Sequence, residues 1–157
     1  MLNHIPLVGI GFVILLFLIA LLRRSNELIN VSLFFVILVA LWAIPAYLTG
    51  EPAEELIEGQ PGISEQLVEA HEENAKIAFI IVEFVGAFAL ITLIIRRYKR
   101  ELGNILSIFT LLGLLVAGLQ IAWTANLGGK INHPEIRGDN NALSTPLYKP
   151  GEESDHD

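Results

Sequence analysis

Apolar residues gather along the chain into four blocks, at 5–22, 28–48, 77–95 and 105–125, with polar stretches between them. The first block holds no charge. The second is broken by Asn30 and Ser32, the third by Glu83 and the fourth chiefly by Gln120. Each block is 18–21 residues long, and a helix needs roughly 20 to cross about 30 Å of hydrocarbon. None repeats a polar face every 3.6 residues, as a soluble amphipathic helix does. The pattern predicts an all-α membrane protein, a bundle of four transmembrane helices over about 4–22, 28–48, 65–100 and 103–126.

Between the second and third blocks, residues 52–58 read as a small amphipathic cap helix closed by Gly59. Its acids Glu51, Glu54, Glu55 and Glu58 share one face. Gln60-Pro61-Gly62 is a turn signal. Ser64 is placed to cap a helix starting near Glu65, with Ile63 and Val68 as a hydrophobic staple. Leu67, His71, Ala75, Ala78 and Val82 form one stripe along that helix. Residues 1–133 make the membrane domain, and 134–157 an acidic, flexible tail. The first block lacks a basic residue before it and has Arg23-Arg24 directly after it. That order predicts an uncleaved helix with a translocated N-terminus.

Composition changes the picture once it is divided by position. The 157 residues are 53% hydrophobic and 17% charged, which excludes a disordered chain. There is no cysteine, so thiolate metal sites and thiol catalysis are excluded. The net charge of −7 argues against a nucleic-acid partner. That charge is unevenly spread. The two short turns around Arg23-Arg24 and Arg96-Arg97-Lys99-Arg100 carry six basic and two acidic residues, net +4. The opposite face carries four basic and 14 acidic residues, net −10, with Glu83 in the third block. Basic turns stay in the cytoplasm. Both termini and the 49–76 loop are then expected outside, which would be the periplasm in a Gram-negative cell. Trp42, Tyr47 and Trp123 fall where an outer aromatic belt belongs.

Two segments resemble each other. Leu18-Ile19-Ala20-Leu21-Leu22-Arg23-Arg24 matches Ile91-Thr92-Leu93-Ile94-Ile95-Arg96-Arg97, and each is followed by Glu-Leu and then by an asparagine, Asn30 or Asn104. Two hairpins of the same polarity would be a parallel repeat. Convergence of short basic turns accounts for the same likeness.

Candidate chemistry collects at the outer end. His4 opens the first helix, His71 lies on the inward stripe of the third, and His133 follows the fourth. Neutral imidazoles bind transition metals, and two on facing helices clamp a haem. The plain alternative is three hydrogen-bonded or interfacial histidines. One count opposes a bis-histidine haem. His4 is 19 residues from Arg23 and His71 is 25 from Arg96. If both arginines share one depth, the imidazoles differ by roughly 9 Å. A mixed site that adds Glu72 or Glu54 tolerates that gap. Glu83 and Gln120 are the deep polar groups, and Glu83 could be a proton carrier, a ligand, a partner of Gln120 or a neutral structural acid. There is no nucleophile–base pair, phosphate loop or nucleotide fingerprint, so no enzymatic activity is read from the chain.

The order of short motifs is itself informative: His4-Ile5-Pro6, Thr49-Gly50, Ala70-His71, and Leu127-Gly128-Gly129-Lys130-Ile131 with His133 beyond. Over about residues 3–133 it resembles a widespread bacterial family of four-helix inner-membrane proteins, catalogued as a domain of unknown function. The resemblance implies the four-helix architecture and outer histidines suspected of binding haem or metal. The family's aromatic near position 132 is Asn132 here, and its further histidine before His4 is missing.

The resulting expectation is a small redox protein of the membrane, with haem b or a transition metal near the outer face. Its ligands would be His4 and His71, with His133 and Glu72 as further candidate metal ligands. The competing expectation is a cofactor-free accessory or scaffolding subunit, docked on other membrane subunits or on copies of itself. A carrier or channel ranks third, because only Glu83 and Gln120 would line a path.

Overall fold

The computed structural model describes residues 4–55 and 65–132, all of them helical or in tight turns. Four helices follow one another: α1 (His4–Leu22), α2 (Asn26–Glu55), α3 (Glu65–Tyr98) and α4 (Arg100–Asn132). They form two hairpins, α1–α2 and α3–α4. α2 packs on α3, and α1 closes the arrangement against α4. Three helical stretches are long and apolar enough to cross a membrane, Asn26–Gly50, Glu65–Tyr98 and Arg100–Ile131. The apolar run described in α1, Leu7–Leu22, is shorter.

The core follows a heptad seam. Ile10, Val13, Phe17 and Ala20 are buried on α1, and Ile29, Leu33, Val36, Ala40 and Ala43 on α2. The alternating steps of three and four residues are those of helices packed side by side at a shallow angle. α3 continues the rule with Ala78, Val82, Val85, Ala89, Thr92 and Arg96. The outward faces are equally apolar, with Phe12, Leu15, Phe34, Leu48, Phe84 and Leu119 exposed. Small residues bring the backbones together. A methyl group on Gly86 would collide with the Ala40 side chain, so α2 and α3 approach closely there.

The two hairpin turns are built differently. After α1, Arg24 takes a left-handed conformation with φ 49°. Ser25 N donates to Ala20 O and Arg24 N to Leu21 O, both at 3.0 Å. This pair of bonds is a Schellman stop. Ser25 Oγ then accepts from Leu28 N at 3.3 Å and caps α2. The second turn is only Lys99. Lys99 N donates to Ile95 O, and Lys99 O accepts from Gly103 N, so the last bonds of α3 and the first of α4 share one residue.

Several expected boundaries need correction. α2 starts at Asn26, because the Ser25 cap lies ahead of the apolar block. It does not stop at residue 48: residues 52–55 are its last turn and not part of a separate cap helix. Pro52 forgoes a single backbone bond, and the helix continues through it. Residues 56–58, Ile63, Ser64 and the 134–157 tail lie outside the described residues. α4 extends to Asn132 rather than 126, carrying Leu127 to Ile131 as helix.

Candidate functional site

At the end of the bundle where α1 begins and α4 finishes, α3 and α4 face each other through polar side chains. His71 Nδ1 lies 3.0 Å from Thr124 O. A carbonyl only accepts, so Nδ1 carries the hydrogen of this contact. Gly128 lies one turn beyond Thr124 and leaves room for the imidazole. A methyl there would stand 3.0 Å from His71 Cε1. The Ala70-His71 and Gly128-Gly129 motifs, far apart in sequence, thus meet across one helix pair. Nearby, Gln120 Nε2 donates to Asn74 Oδ1 at 3.1 Å, while Asn74 Nδ2 donates to Ala70 O. Thr124 Oγ1 donates back to Gln120 O.

Helix register bears on the depth of the histidines. Gly118 of α4 faces both Ile10 and Ile14 of α1. Counting outward along both helices brings His4, the first residue of α1, level with about residue 126 of α4. His71 contacts Thr124 and Gly128, which bracket the same level. The roughly 9 Å offset expected from residue counting disappears. It rested on placing Arg23 and Arg96 at one depth. Arg96 instead lies beside Gly103, and the register sets it roughly 6 Å beyond Arg23.

The remaining candidates fare differently. Glu72 is exposed. Among the described residues no three His, Asp or Glu side chains gather as a metal-holding group. Gln120 pairs with Asn74 and not with Glu83. Glu83 Oε1 is buried and finds no hydrogen-bond partner among the described residues. His133 lies outside the described residues.

Sequence reading missed a highly connected side chain, Arg96. Arg96 was counted among the basic residues of the cytoplasmic turn, yet it is only 8% exposed. Its Nε donates to Asn30 Oδ1 at 2.8 Å, and Nη1 to Asn104 Oδ1 at 2.6 Å and Ser107 Oγ at 3.2 Å. Nη2 donates to Asn26 Oδ1 at 3.2 Å. All four partners are neutral oxygens, drawn from α2 and α4. Gly103 makes the arrangement possible, since a methyl there would overlap the Arg96 stem and stand 2.8 Å from its Cα. No family model, curated protein or solved structure matches the chain.

Proposed function

We propose that the chain is an integral protein of a bacterial inner membrane that binds haem b, or a single transition metal ion, at its histidine end. In this reading all four helices span the bilayer, both arginine turns face the cytoplasm and both termini lie outside. The observation that carries the proposal is the seating of His71. Metal-bound histidines characteristically donate their second nitrogen to a carbonyl, which fixes the ring and its tautomer. His71 Nδ1 does so to Thr124 O, over a glycine that makes room for the ring. The shared level of His71 and the start of α1 supports His4 as the second residue that would hold the haem or metal. Two imidazoles also fit the donor set better than a many-ligand site, since Glu72 is exposed and no larger group forms among the described residues. Bound haem would supply one-electron redox chemistry. The chain's part is to hold and orient the imidazoles and to keep hydrocarbon around them. The resemblance to the four-helix family is consistent with this reading, because two of its motifs are those that meet at His71.

The test is direct. The full chain is purified in mild detergent, its visible spectrum is recorded oxidised and reduced, and bound metals are measured. A Soret band that disappears in His71→Ala and shifts in His4→Ala is expected. A folded, colourless and metal-free preparation would reject the proposal and leave the accessory-subunit reading. A reporter fused after Asp157 that is active only in the cytoplasm would overturn the orientation.

A further inference from the structure

The arginine end holds a second site unrelated to the histidines. A cleft of about 750 Å³ opens over Arg96, with Asn26, Asn30, Arg97 and Arg100 on its walls. Three guanidinium groups and, among the described residues, no carboxylate line it, so its potential is positive. Arg96 is buried, and its hydrogen-bond partners are neutral oxygens. Those bonds orient the fork without compensating its charge. A guanidinium has five N–H groups, and these contacts occupy four, leaving one on Nη2. Asn26 and Asn30 give their Oδ1 atoms to Arg96, so the remaining polar group of each amide is a donor. Buried positive charge, spare donors and two exposed arginines at the rim together call for an anion with several acceptor oxygens.

The walls also carry Leu93 and Ile94. Ile94 is exposed on the outer apolar face, next to exposed Ile91 and Leu90. An anion bound here has an apolar strip running from it along α3. We propose that this cleft binds a phosphate group, as the headgroup of an anionic phospholipid from the cytoplasmic leaflet. Basic pockets between membrane helices on that side suit such headgroups. The inference rests on the membrane placement proposed above and not on the histidines. A colourless preparation therefore leaves it standing, and alkaline extraction of native membranes tests the placement by itself.

The experiment titrates the full chain in mild detergent with three probes: dioctanoyl phosphatidylglycerol, dioctanoyl phosphatidylcholine and inorganic phosphate. Thermal unfolding is the readout, since a ligand of the folded state raises the midpoint. Phosphatidylglycerol should raise it saturably and phosphatidylcholine should not. Inorganic phosphate, with no acyl chain, should act only at far higher concentration. Arg97→Gln/Arg100→Gln changes exposed side chains and should fold, while weakening phosphatidylglycerol binding about thirtyfold. Equal shifts with both lipids, or an unchanged affinity in the double variant, would overturn the site. Inorganic phosphate matching phosphatidylglycerol would overturn the lipid assignment in favour of a free phosphate ligand.

Discussion

The two hairpin turns start from nearly the same sequence and end in opposite environments. Arg23 and Arg96 occupy matching positions in their segments, each followed by a second arginine. Arg23 is exposed, whereas Arg96 is buried among α2, α3 and α4. The difference lies in the turns. The first uses Arg23, Arg24 and Ser25 to reverse direction. The second reverses at Lys99 alone, which brings Gly103 of α4 directly against Arg96. A short turn and an absent side chain therefore convert a surface arginine into a buried hub. The two matching asparagines, Asn30 and Asn104, both accept from that one guanidinium. The likeness between the hairpins thus has a physical meeting point, whatever its origin.

The largest expected effect comes from removing the hub. Arg96→Ala strips four acceptors of their donor and opens a void where α2, α3 and α4 meet. Breaking a buried charged network of this kind costs about 3–5 kcal/mol. Arg23→Ala, at the matching exposed position, should stay within about 0.5 kcal/mol. Denaturant midpoints in mild detergent measure both. Equal losses would mean that the turns are equivalent after all.

Next is the glycine that admits Arg96. Gly103→Ala would force a methyl into the Arg96 stem and backbone, and overpacking of that kind costs about 2–3 kcal/mol. Gly11 of α1 faces open space, with nothing within 4 Å. Gly11→Ala should be neutral or stabilise by about 0.5–1 kcal/mol through helix propensity alone. A harmless Gly103→Ala would show that α4 can pull away from α3, and that the one-residue turn does not set the packing.

The asparagines come third. Asn30→Ala and Asn104→Ala each remove one hydrogen bond to a charged donor, worth about 1.5 kcal/mol. Because they share the Arg96 donor, the double variant should depart from additivity. Strictly additive losses, obtained from a double-mutant cycle, would argue against a common hub.

Much of the architecture was legible in the apolar blocks. Their number and length anticipated four helices, and α1 and the start of α3 fall where expected. The burial pattern was not legible, because average hydropathy does not distinguish a core face from an equally apolar outward face. The usable signal was the polar minority at heptad spacing. Thr92 and Arg96 on α3 continue the steps of Ala78 to Ala89, and Ser107 and Thr110 on α4 precede buried Leu114 and Ala117. Polar residues inside apolar helices mark the interior here, with Ser32, Ser107 and Thr110 satisfied by the carbonyl one turn back. His71 was identifiable as inward from its stripe. Its partner Thr124 was not, since the bond depends on the α3–α4 register, which is set by a turn of one residue. The same unknown register produced the mistaken depth offset between His4 and His71.

The smallest expected effect returns to the first turn and has the opposite sign. Arg24 holds a left-handed backbone at φ 49°, at the position of a Schellman stop where glycine is the usual residue. Its side chain is exposed. Glycine would remove the steric conflict between Cβ and the neighbouring carbonyl, although it also gives the unfolded chain more freedom to lose. The two terms oppose, and the net for Arg24→Gly should be a gain of about 0.5–1 kcal/mol in unfolding free energy, read from the denaturant midpoint. The matching change in the other hairpin, Arg97→Gly, places glycine inside α3, next to the buried hub, and should cost about 1 kcal/mol. Substitutions at aligned arginines that move stability in opposite directions would confirm that turn geometry, and not the shared motif, decides what each arginine does. If both destabilise, the left-handed residue is not strained, and the contrast between the turns reduces to their lengths.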